Sequence, residues 1–292
     1  MEVFSISDLE NLTGVKAHTI RIWEQRYNIV NPKRTETNIR YYTNQDLRKL
    51  LNVSLLNMYG VKISHIAKMS ENELNASVLE IEEGDAPIGN ELNSLLMSMF
   101  DFDEHSFKNT LTMSIGKRGV ENTMYDIIFP LMKRIGTLWQ AGSITVAYEH
   151  FVSNIIRNWI LIETEKVKMV KLRQEAKKFI LFLPENENHE IGLLFANYII
   201  KSFSHCSLYL GQAVPTSDLI SVLDKYDADY LLCSSTSGIR SKESQDYIYS
   251  LSSKFSHKQI LFSGAAFEFP NLVYPKNTRI LKEFKVLEQL CK

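Results

Sequence analysis

Apolar residues recur at spacings of three and four over most of the first 175 residues, and short apolar runs bounded by turn residues take over after residue 178. The first pattern predicts helices that bury one face, and the second predicts buried strands. The chain is therefore expected to have a helical part followed by a part in which strands and helices alternate.

The first 75 residues contain short helical patterns separated by turns. Ser7, with Glu10 three positions later, predicts a capped first helix, and Gly14 ends it. A second helix is expected from about Lys16 to Arg26. Two short helices joined by a turn that contains Gly are typical of a helix-turn-helix.

The next segment, "NPKRTETNIRYYT", is polar and ends in the β-prone residues Ile39 to Tyr42. It predicts a two-stranded wing with a basic tip at Lys33 and Arg34. Thr43 is expected to cap a third helix. We also expect the apolar side chain of Ile39 to pack in the core.

Charge is concentrated in this region. The whole chain has a formal net charge of −1, but the segment from Lys16 to Lys49 holds eight Lys and Arg residues against three acidic residues. A local basic patch is what binding to phosphates requires. The second helix of a helix-turn-helix enters the major groove with its N-terminal residues foremost. Those residues are Lys16, His18, Thr19 and Arg21.

Taken together, "ISDLENLTGVKAHTIRIWEQRY", the wing and "RYYTNQDL" resemble the N-terminal domain of the MerR family of transcription regulators over roughly residues 3 to 72. The resemblance implies a winged helix-turn-helix domain that binds double-stranded operator DNA. The DNA contacts that it implies are Lys16, His18, Thr19, Arg21, Arg34, Arg40 and Tyr42.

Residues 76–175 lack strand patterns and predict a bundle of four to five antiparallel helices. In "LWQAGSITVAYEHF", Trp139 ends one helix, and Glu149 and His150 lie one turn into the next. A large flat ring and a polar pair near one end of a bundle can close over a planar ligand. A packed Trp and a solvent-exposed Glu-His pair explain the same pattern equally well.

From Lys178 onward, four strand-like runs alternate with helical patterns: "KFILF", "CSLYLG", "YLLCSS" and "QILFSG". Repeated strand–helix units predict a doubly wound, Rossmann-like parallel sheet. Sheets of this kind bind ligands at the carboxyl ends of their strands.

His189 follows the first predicted strand, at the entrance to a helix, and Gly192 would let that helix approach a ligand closely. Glu187 can bond to the ring nitrogen that faces away from a ligand, an arrangement that orients a metal-bound imidazole. An isolated His at such a junction is also compatible with a solvated loop residue.

The motif "ENHEIG" resembles the Asp-x-His-x-x-Gly motif of cobalamin-binding domains, with Glu187 in place of Asp, and "LYLGQAVP", "CSSTSG" and "LFSGAAF" resemble the segments that follow it. This implies that His189 is the lower axial ligand of cobalt and that a slot holds the nucleotide tail of the cofactor. The slot residues are Ser234, Thr236, Ser263 and Gly264. Ser263 stands where the family has Gly and would narrow the slot.

Trp139, followed at this spacing by Glu149 and His150, also resembles light-sensing, cobalamin-dependent repressors of the MerR type, in which these residues lie over the upper face of the corrin. The implied protein is a transcriptional repressor and not an enzyme. Adenosylcobalamin and light would control its homo-oligomerisation, as a dimer or tetramer, and its operator binding.

The implied organisation is a DNA-binding domain (1–75), a helical bundle that caps the cofactor (76–175) and a Rossmann-like cobalamin-binding domain (176–292). The 292 residues suit two or three domains, and the 45% of apolar residues suits a folded protein. No apolar run is long enough to span a membrane. Three distant cysteines, Cys206, Cys233 and Cys291, fit a reducing cytoplasm.

Two alternatives remain open from the sequence. The first is a regulator that kept this fold but lost the cofactor, which the departures at Glu187, Thr236 and Ser263 motivate. The second is a corrinoid carrier in methyl transfer, against which the DNA-binding N-terminus argues.

Overall fold

The computed structural model describes residues 3–35, 37–74, 77, 88–140, 144–167, 175–236 and 241–292. Two compact units contain residues 1–155 and 156–292, and we call them the N-terminal and C-terminal units. The predicted domain boundary at 75/76 falls outside the described residues.

The N-terminal unit begins with a series of short helices and strands. They are β1 (Val3–Phe4), α1 (Ile6–Thr13), α2 (Ala17–Tyr27), β2 (Lys33–Arg34), β3 (Arg40–Thr43), α3 (Asn44–Met58) and α4 (Ile63–Ile66). The strands form an antiparallel sheet in the order β1-β3-β2. The predicted helix-turn-helix and its wing are therefore confirmed.

The cap of α1 differs from the prediction. Ser5, and not Ser7, is the N-cap, and its hydroxyl accepts from the backbone N of Asp8 while Asp8 accepts from the backbone N of Ser5. Glu10 instead binds the start of α2, where its carboxylate accepts from the backbone N of Ala17 at 3.0 Å. The predicted cap of α3 at Thr43 is confirmed.

A helical bundle follows. Its helices are α5 (Ile88–Asp101), α6 (Glu104–Thr123), α7 (Phe129–Gln140) and α8 (Val146–Lys166), with a π-helical turn between α6 and α7 (Met124–Ile128). Gly119 interrupts α6 with a φ of 80°, a value that only Gly adopts at little cost. The last part of α8, from residue 156, belongs to the C-terminal unit.

The winged helix-turn-helix and the bundle pack together within the N-terminal unit. The ring of Phe4 in β1 meets the ring of Phe100 in α5 edge-on, with 5.8 Å between centroids. Arg134 of α7 donates a hydrogen bond of 3.1 Å to the backbone carbonyl of Leu12 in α1. Burial of that guanidinium lowers the pKa of Arg134. The helix-turn-helix and wing therefore share a core with the helices that follow.

The C-terminal unit has a five-stranded, wholly parallel sheet. Its elements are β4 (Lys178–Phe182), α9 (Ile191–Ser202), β5 (Cys206–Gly211), α10 (Asp218–Leu223), β6 (Tyr230–Ser234), α11 (Ser241–Lys254), β7 (Gln259–Ser263), β8 (Thr278–Leu281) and α12 (Phe284–Cys291). The strand order is β5-β4-β6-β7-β8. The predicted doubly wound sheet is confirmed, and β8 is an additional edge strand that the sequence did not reveal.

This strand order places a topological switch point between β4 and β6. From β4 the chain moves outward to β5, and from β6 it moves the other way to β7 and β8. The loops that leave β4 and β6 therefore diverge and open a crevice at the carboxyl ends of these two strands, which is where ligands bind in sheets of this kind.

Within the described ranges, none of the helices has the length and apolar character needed to cross a membrane.

Candidate functional site

Glu187 lies in the loop after β4 and is hydrogen-bonded across the crevice to the loop after β6. Its carboxylate is 2% exposed, and one oxygen, Oε1, accepts from the backbone N of Asn188 and of His189, each at 2.9 Å. The other, Oε2, accepts from Ser235 Oγ at 2.9 Å and from the backbone N of Thr236 at 2.7 Å. A buried carboxylate requires donors of this kind. Glu187 thus ties the loop after β4 to the loop after β6.

His189 projects from this loop with 62% of its side chain exposed. Its Nδ1 lies 2.6 Å from Glu187 Oε1. Because a carboxylate only accepts hydrogen bonds, Nδ1 carries the proton, and in the neutral ring Nε2 then holds the lone pair. This is the tautomer and the supporting contact that a metal-bound imidazole needs.

The same loop is held from the side of β5. Gln212 donates from Nε2 to the carbonyl of Asn188 at 3.0 Å, and the backbone N of Ala213 donates to the carbonyl of Glu187 at 3.2 Å. The loop that carries His189 is therefore hydrogen-bonded to the segment after β5 and, through Glu187, to the loop after β6.

The residue after His189 adds a further attachment. Glu190 is buried, and it accepts from Arg157 Nε of α8 and from the hydroxyl of Tyr209 in β5, the latter at 2.8 Å. The hydrogen bond to Glu190 raises the pKa of Arg157. Burial, and then the Glu190 carboxylate, raise the pKa of Tyr209. The start of α9 is thereby joined to α8 and to β5 at one point.

The two glycines of the predicted site play different parts. Gly264 has a φ of 95°, and a Cβ there would lie 2.3 Å from the carbonyl oxygen of Ser235. The ends of β6 and β7 can therefore approach this closely only with Gly at 264. A Cβ at Gly192 would meet the ring of Phe284 in α12 at 3.4 Å, so its described neighbour is a protein side chain.

The remaining slot residues lie at the ends of β6 and β7. Ser234 pairs with Ser263 in the sheet register, and both side chains are buried. Among the residues that the structure describes, Ser263 Oγ has no hydrogen-bond partner. Thr236 is exposed and contributes its backbone N to Glu187. A buried hydroxyl without a described partner at the end of β7 and a His in the metal-binding tautomer after β4 lie at the same edge of the sheet, and both fit a cofactor that binds there.

Sequence reasoning missed Ser235. Ser235 is not among the predicted slot residues, yet its hydroxyl donates to Glu187 and its backbone N donates to the carbonyl of Ser263 at 3.0 Å. The signal that would have identified it is a second polar donor at the strand end facing a buried acid.

The other predicted cofactor residues lie in the N-terminal unit. Trp139, near the end of α7, is 53% exposed. In the first turn of α8, His150 Nδ1 lies 2.7 Å from Glu149 Oε2, so the predicted polar pair is formed. No three His, Cys, Asp or Glu side chains in the described parts of the chain are grouped so as to hold a metal ion.

The basic side chains of the predicted DNA interface lie on the surface. Lys16, His18 and Arg21 at the start of α2 are exposed, as are Arg34 and Arg40 of the wing. Thr19 is partly exposed, and its hydroxyl lies 3.3 Å from His18 Nε2. Lys16 pairs with Glu10 at 2.9 Å, and this contact lowers the pKa of the Glu10 carboxyl.

Ile39 and Tyr42 on the wing differ from what the sequence indicated. Ile39 is 64% exposed, so the prediction that it packs in the core is wrong. Tyr42 is fully buried, and its hydroxyl donates to Glu24 of α2. Burial, and then the Glu24 carboxylate, raise the pKa of Tyr42. Tyr42 therefore joins the wing to α2 from inside the domain.

Two protein-family models match the chain. Residues 4–73 match the MerR HTH family regulatory protein model, and residues 91–162 match the B12 binding domain model. The second match includes Trp139, Glu149 and His150. The chain thus combines a MerR-type helix-turn-helix with a B12-binding domain.

Two curated relatives come from Myxococcus xanthus. The HTH-type transcriptional repressor CarH is 28% identical over 222 residues, which is 74% of this chain and 73% of that protein. The HTH-type transcriptional repressor CarA is 24% identical over 216 residues, 73% of this chain and 70% of that protein.

The fold also occurs among solved structures. The alignment with the monomethylamine corrinoid protein of Methanosarcina barkeri spans 70% of this chain and 98% of that protein, with a TM-score of 0.56 and 14% sequence identity. At this identity the likeness concerns the fold alone.

Proposed function

Because a MerR-type helix-turn-helix and a B12-binding domain occur in one chain, we propose that this protein is a transcriptional repressor that binds operator DNA under the control of cobalamin. The observation that carries the proposal is the buried Glu187 carboxylate, which holds His189 in the metal-binding tautomer at the switch point of the sheet. The similarity to two named transcriptional repressors supports the DNA-binding half of the proposal.

We further propose adenosylcobalamin as the cofactor and a cytoplasmic homo-oligomer, dimer or tetramer, as the repressing form. When bound, this cofactor would supply a cobalt–carbon bond that light can break. His189 would bind cobalt through Nε2, with Glu187 orienting the ring. The other residues proposed to hold the cofactor are Trp139, Glu149, His150, Gly192, Ser234, Thr236, Ser263 and Gly264. None of these roles requires a reaction on a substrate, so we propose no enzymatic activity.

The proposed DNA contacts come from the exposed side chains of α2 and the wing. They are Lys16, His18, Thr19, Arg21, Arg34 and Arg40. Tyr42 is proposed to act on DNA binding through Glu24, because its own side chain is buried. A ligand that favours the DNA-bound assembly is favoured by it in return, since the coupling of two binding equilibria is reciprocal.

The cofactor proposal is tested by mixing the purified protein with adenosylcobalamin in the dark, desalting it and recording its absorbance and size before and after green light. We expect retained cofactor, and a smaller species after illumination. Loss of all cofactor on desalting would refute cobalamin control. Retention with an unchanged size in light would refute the light-controlled oligomer alone.

His189→Ala should shorten the retention of cobalamin on desalting by at least about tenfold, because loss of a metal ligand or of its supporting contact costs this much or more. The matched control is Asn188→Ala, whose side chain is exposed and whose described contacts with Glu187 and Gln212 use the backbone alone. Equal retention by both variants would remove His189 as the axial ligand.

Arg21→Ala should weaken binding to a duplex operator, selected by the wild-type protein from a random-sequence library, by about 5- to 150-fold, because a lost base contact costs about 1–3 kcal/mol. The shift assay is run at one fixed salt concentration. Lys242→Ala removes the same charge from α11 of the C-terminal unit, outside the helix-turn-helix and wing, and should leave binding unchanged. If both variants bound alike, α2 would not be the recognition helix.

A further inference from the structure

The carboxylate of Glu190 is committed to contacts outside its own helix. Glu190 is the N-cap residue of α9, a position from which a side chain commonly accepts hydrogen bonds from the first free amides of the helix. Within the described chain it makes no such bond. Its side chain is 7% exposed, and each carboxylate oxygen has a donor in another element, Arg157 Nε of α8 for Oε1 and the hydroxyl of Tyr209 in β5 for Oε2. The residue after His189 is therefore an anchor to two neighbouring elements and not a cap.

This anchor completes the attachment of the His189 backbone. On the amino side, the backbone N of His189 donates to Glu187 Oε1 at 2.9 Å. On the carbonyl side, Glu190 is held by its carboxylate, and its own carbonyl accepts from the backbone N of Leu194 at 2.8 Å in the first turn of α9. The residue that carries the imidazole therefore lies between two fixed points, and the Glu190 carboxylate supplies the second of them.

The ring of His189 depends on this backbone for its position. Its side chain is 62% exposed, so packing holds it only in part. The contact between Nδ1 and Glu187 Oε1 fixes how the ring is turned. A group that binds a metal must also be held to within about 0.5 Å of its productive position. For His189 that second requirement falls on the backbone, and hence on Glu190.

We propose that Glu190 is a positioning residue for His189 as the lower axial ligand of a bound corrinoid. Arg157 and Tyr209 act on cobalt ligation through it. The inference rests on the proposed function and adds three residues to it. With the anchor intact, Nε2 of His189 is in place before the cofactor binds, so that binding spends less free energy on ordering the loop. Without the anchor, the ring keeps its tautomer through Glu187 but loses its position, and the cofactor is then held without an imidazole ligand.

The test uses adenosylcobinamide, a corrinoid without a base of its own, so that a nitrogen-ligated absorption spectrum of the bound form reports an imidazole of the protein. Each full-length variant is dialysed to equilibrium against a saturating concentration in the dark, and the spectrum of the free ligand is subtracted. His189→Ala gives the unligated reference. Arg157→Gln removes the charged donor to Glu190 and should lower the ratio of ligated to unligated cofactor about 10- to 30-fold, as loss of a residue that supports a metal ligand does. Tyr209→Phe removes the neutral donor and should lower this ratio about 2- to 10-fold.

The matched control is Lys201→Gln near the far end of α9. Lys201 pairs with Glu165 of α8 at 3.4 Å, so this change also removes a cation from an ion pair between α8 and α9. It should leave the ligated fraction at the wild-type value, because the pair lies at the other end of α9 from the anchor. In the ligand-free protein, hydrogen exchange of the amides of residues 188–194 should become faster in Arg157→Gln and Tyr209→Phe and stay unchanged in Lys201→Gln.

A wild-type ratio in Arg157→Gln would overturn the assignment, and so would an equal loss in Lys201→Gln, since general packing of α8 on α9 would then explain both. If Arg157→Gln does not fold, because its buried carboxylate has lost its cation, Tyr209→Phe decides the assignment alone. Wild-type protein that binds adenosylcobinamide with the spectrum of His189→Ala would remove His189 as the cobalt ligand, and this assignment with it. Failure of the wild-type protein to bind any corrinoid would overturn the proposed function itself.

Discussion

Gly264→Ala should destabilise the C-terminal unit by roughly 2–6 kcal/mol, because it adds steric overlap and backbone strain at the same position. The new Cβ would lie 2.3 Å from the carbonyl oxygen of Ser235, a backbone atom that cannot rotate away. The φ of 95° at this residue is also one that L-amino acids rarely adopt. Relief of either problem requires β6 and β7 to separate at their carboxyl ends, where Ser235 and Ala266 are hydrogen-bonded.

Denaturant unfolding followed by far-ultraviolet circular dichroism measures this loss. The matched control is Gly116→Ala in α6, where an added Cβ meets nothing within 4 Å. That change should stabilise the protein by up to about 1 kcal/mol, since Ala is the better helix former. Equal stability of Gly264→Ala and the wild type would show that the two strand ends are not locked together as the structure has them.

Glu187→Gln should cost about 2–5 kcal/mol of stability and most of the retained cobalamin, because it leaves buried donors unpaired. The carboxylate has two accepting oxygens, and each serves at least two donors. A glutamine offers one oxygen and an NH₂ group that only donates. Either the loop of His189 or the loop of Ser235 must then lose its partner, and His189 loses its fixed orientation.

The matched control for this change is Glu185→Gln, which removes the same charge from an exposed position on the same loop. It should leave both stability and cobalamin retention near the wild-type values, because surface substitutions are usually within about 0.5 kcal/mol. The denaturation midpoint and the cobalamin retained after desalting are measured for both variants. If Glu187→Gln matched Glu185→Gln in both, the loop would be held by other contacts.

The position of His189 was predictable because it depends on local sequence. A short apolar run followed by polar residues and a helical pattern fixes a strand end, and parallel strands bring their ends to one edge of the sheet. The partner of Glu187 was not predictable in the same way. Ser235 lies 48 positions along the chain from Glu187. The three successive polar residues 234–236 are all candidates for a hydrogen bond to the Glu187 carboxylate. Which of them forms it depends on the register in which β4 pairs with β6, and that register is not evident from the sequence.

The cap of α1 shows a second limit. Ser5 with Asp8 and Ser7 with Glu10 both match the capping pattern, and local rules do not choose between them. The structure uses Ser5 because Glu10 is engaged by Lys16 and the backbone of Ala17 at the start of α2. The contacts of Glu10 with the start of α2 therefore determine which of the two serines caps α1.

The wing shows a third limit, because the sequence did not reveal which of its side chains are buried. Ile39 precedes the first residue of β3 and remains at the surface, whereas Tyr42 is enclosed with its hydroxyl on Glu24. Apolar character alone would have placed them the other way round. Burial here follows from pairing with β1 on one side of β3, where Phe4 stands opposite Tyr42.

The bond between Arg134 and the carbonyl of Leu12 has a consequence for genetics. Trp139 stands five residues after Arg134 on α7, and Leu12 belongs to the first helix of the helix-turn-helix. A displacement of α7 would therefore carry α1 with it. Genetic selections for mutants that always repress, or never repress, should therefore recover substitutions on the face of α7 that packs against α1. Such substitutions would alter repression without changing a residue that contacts DNA.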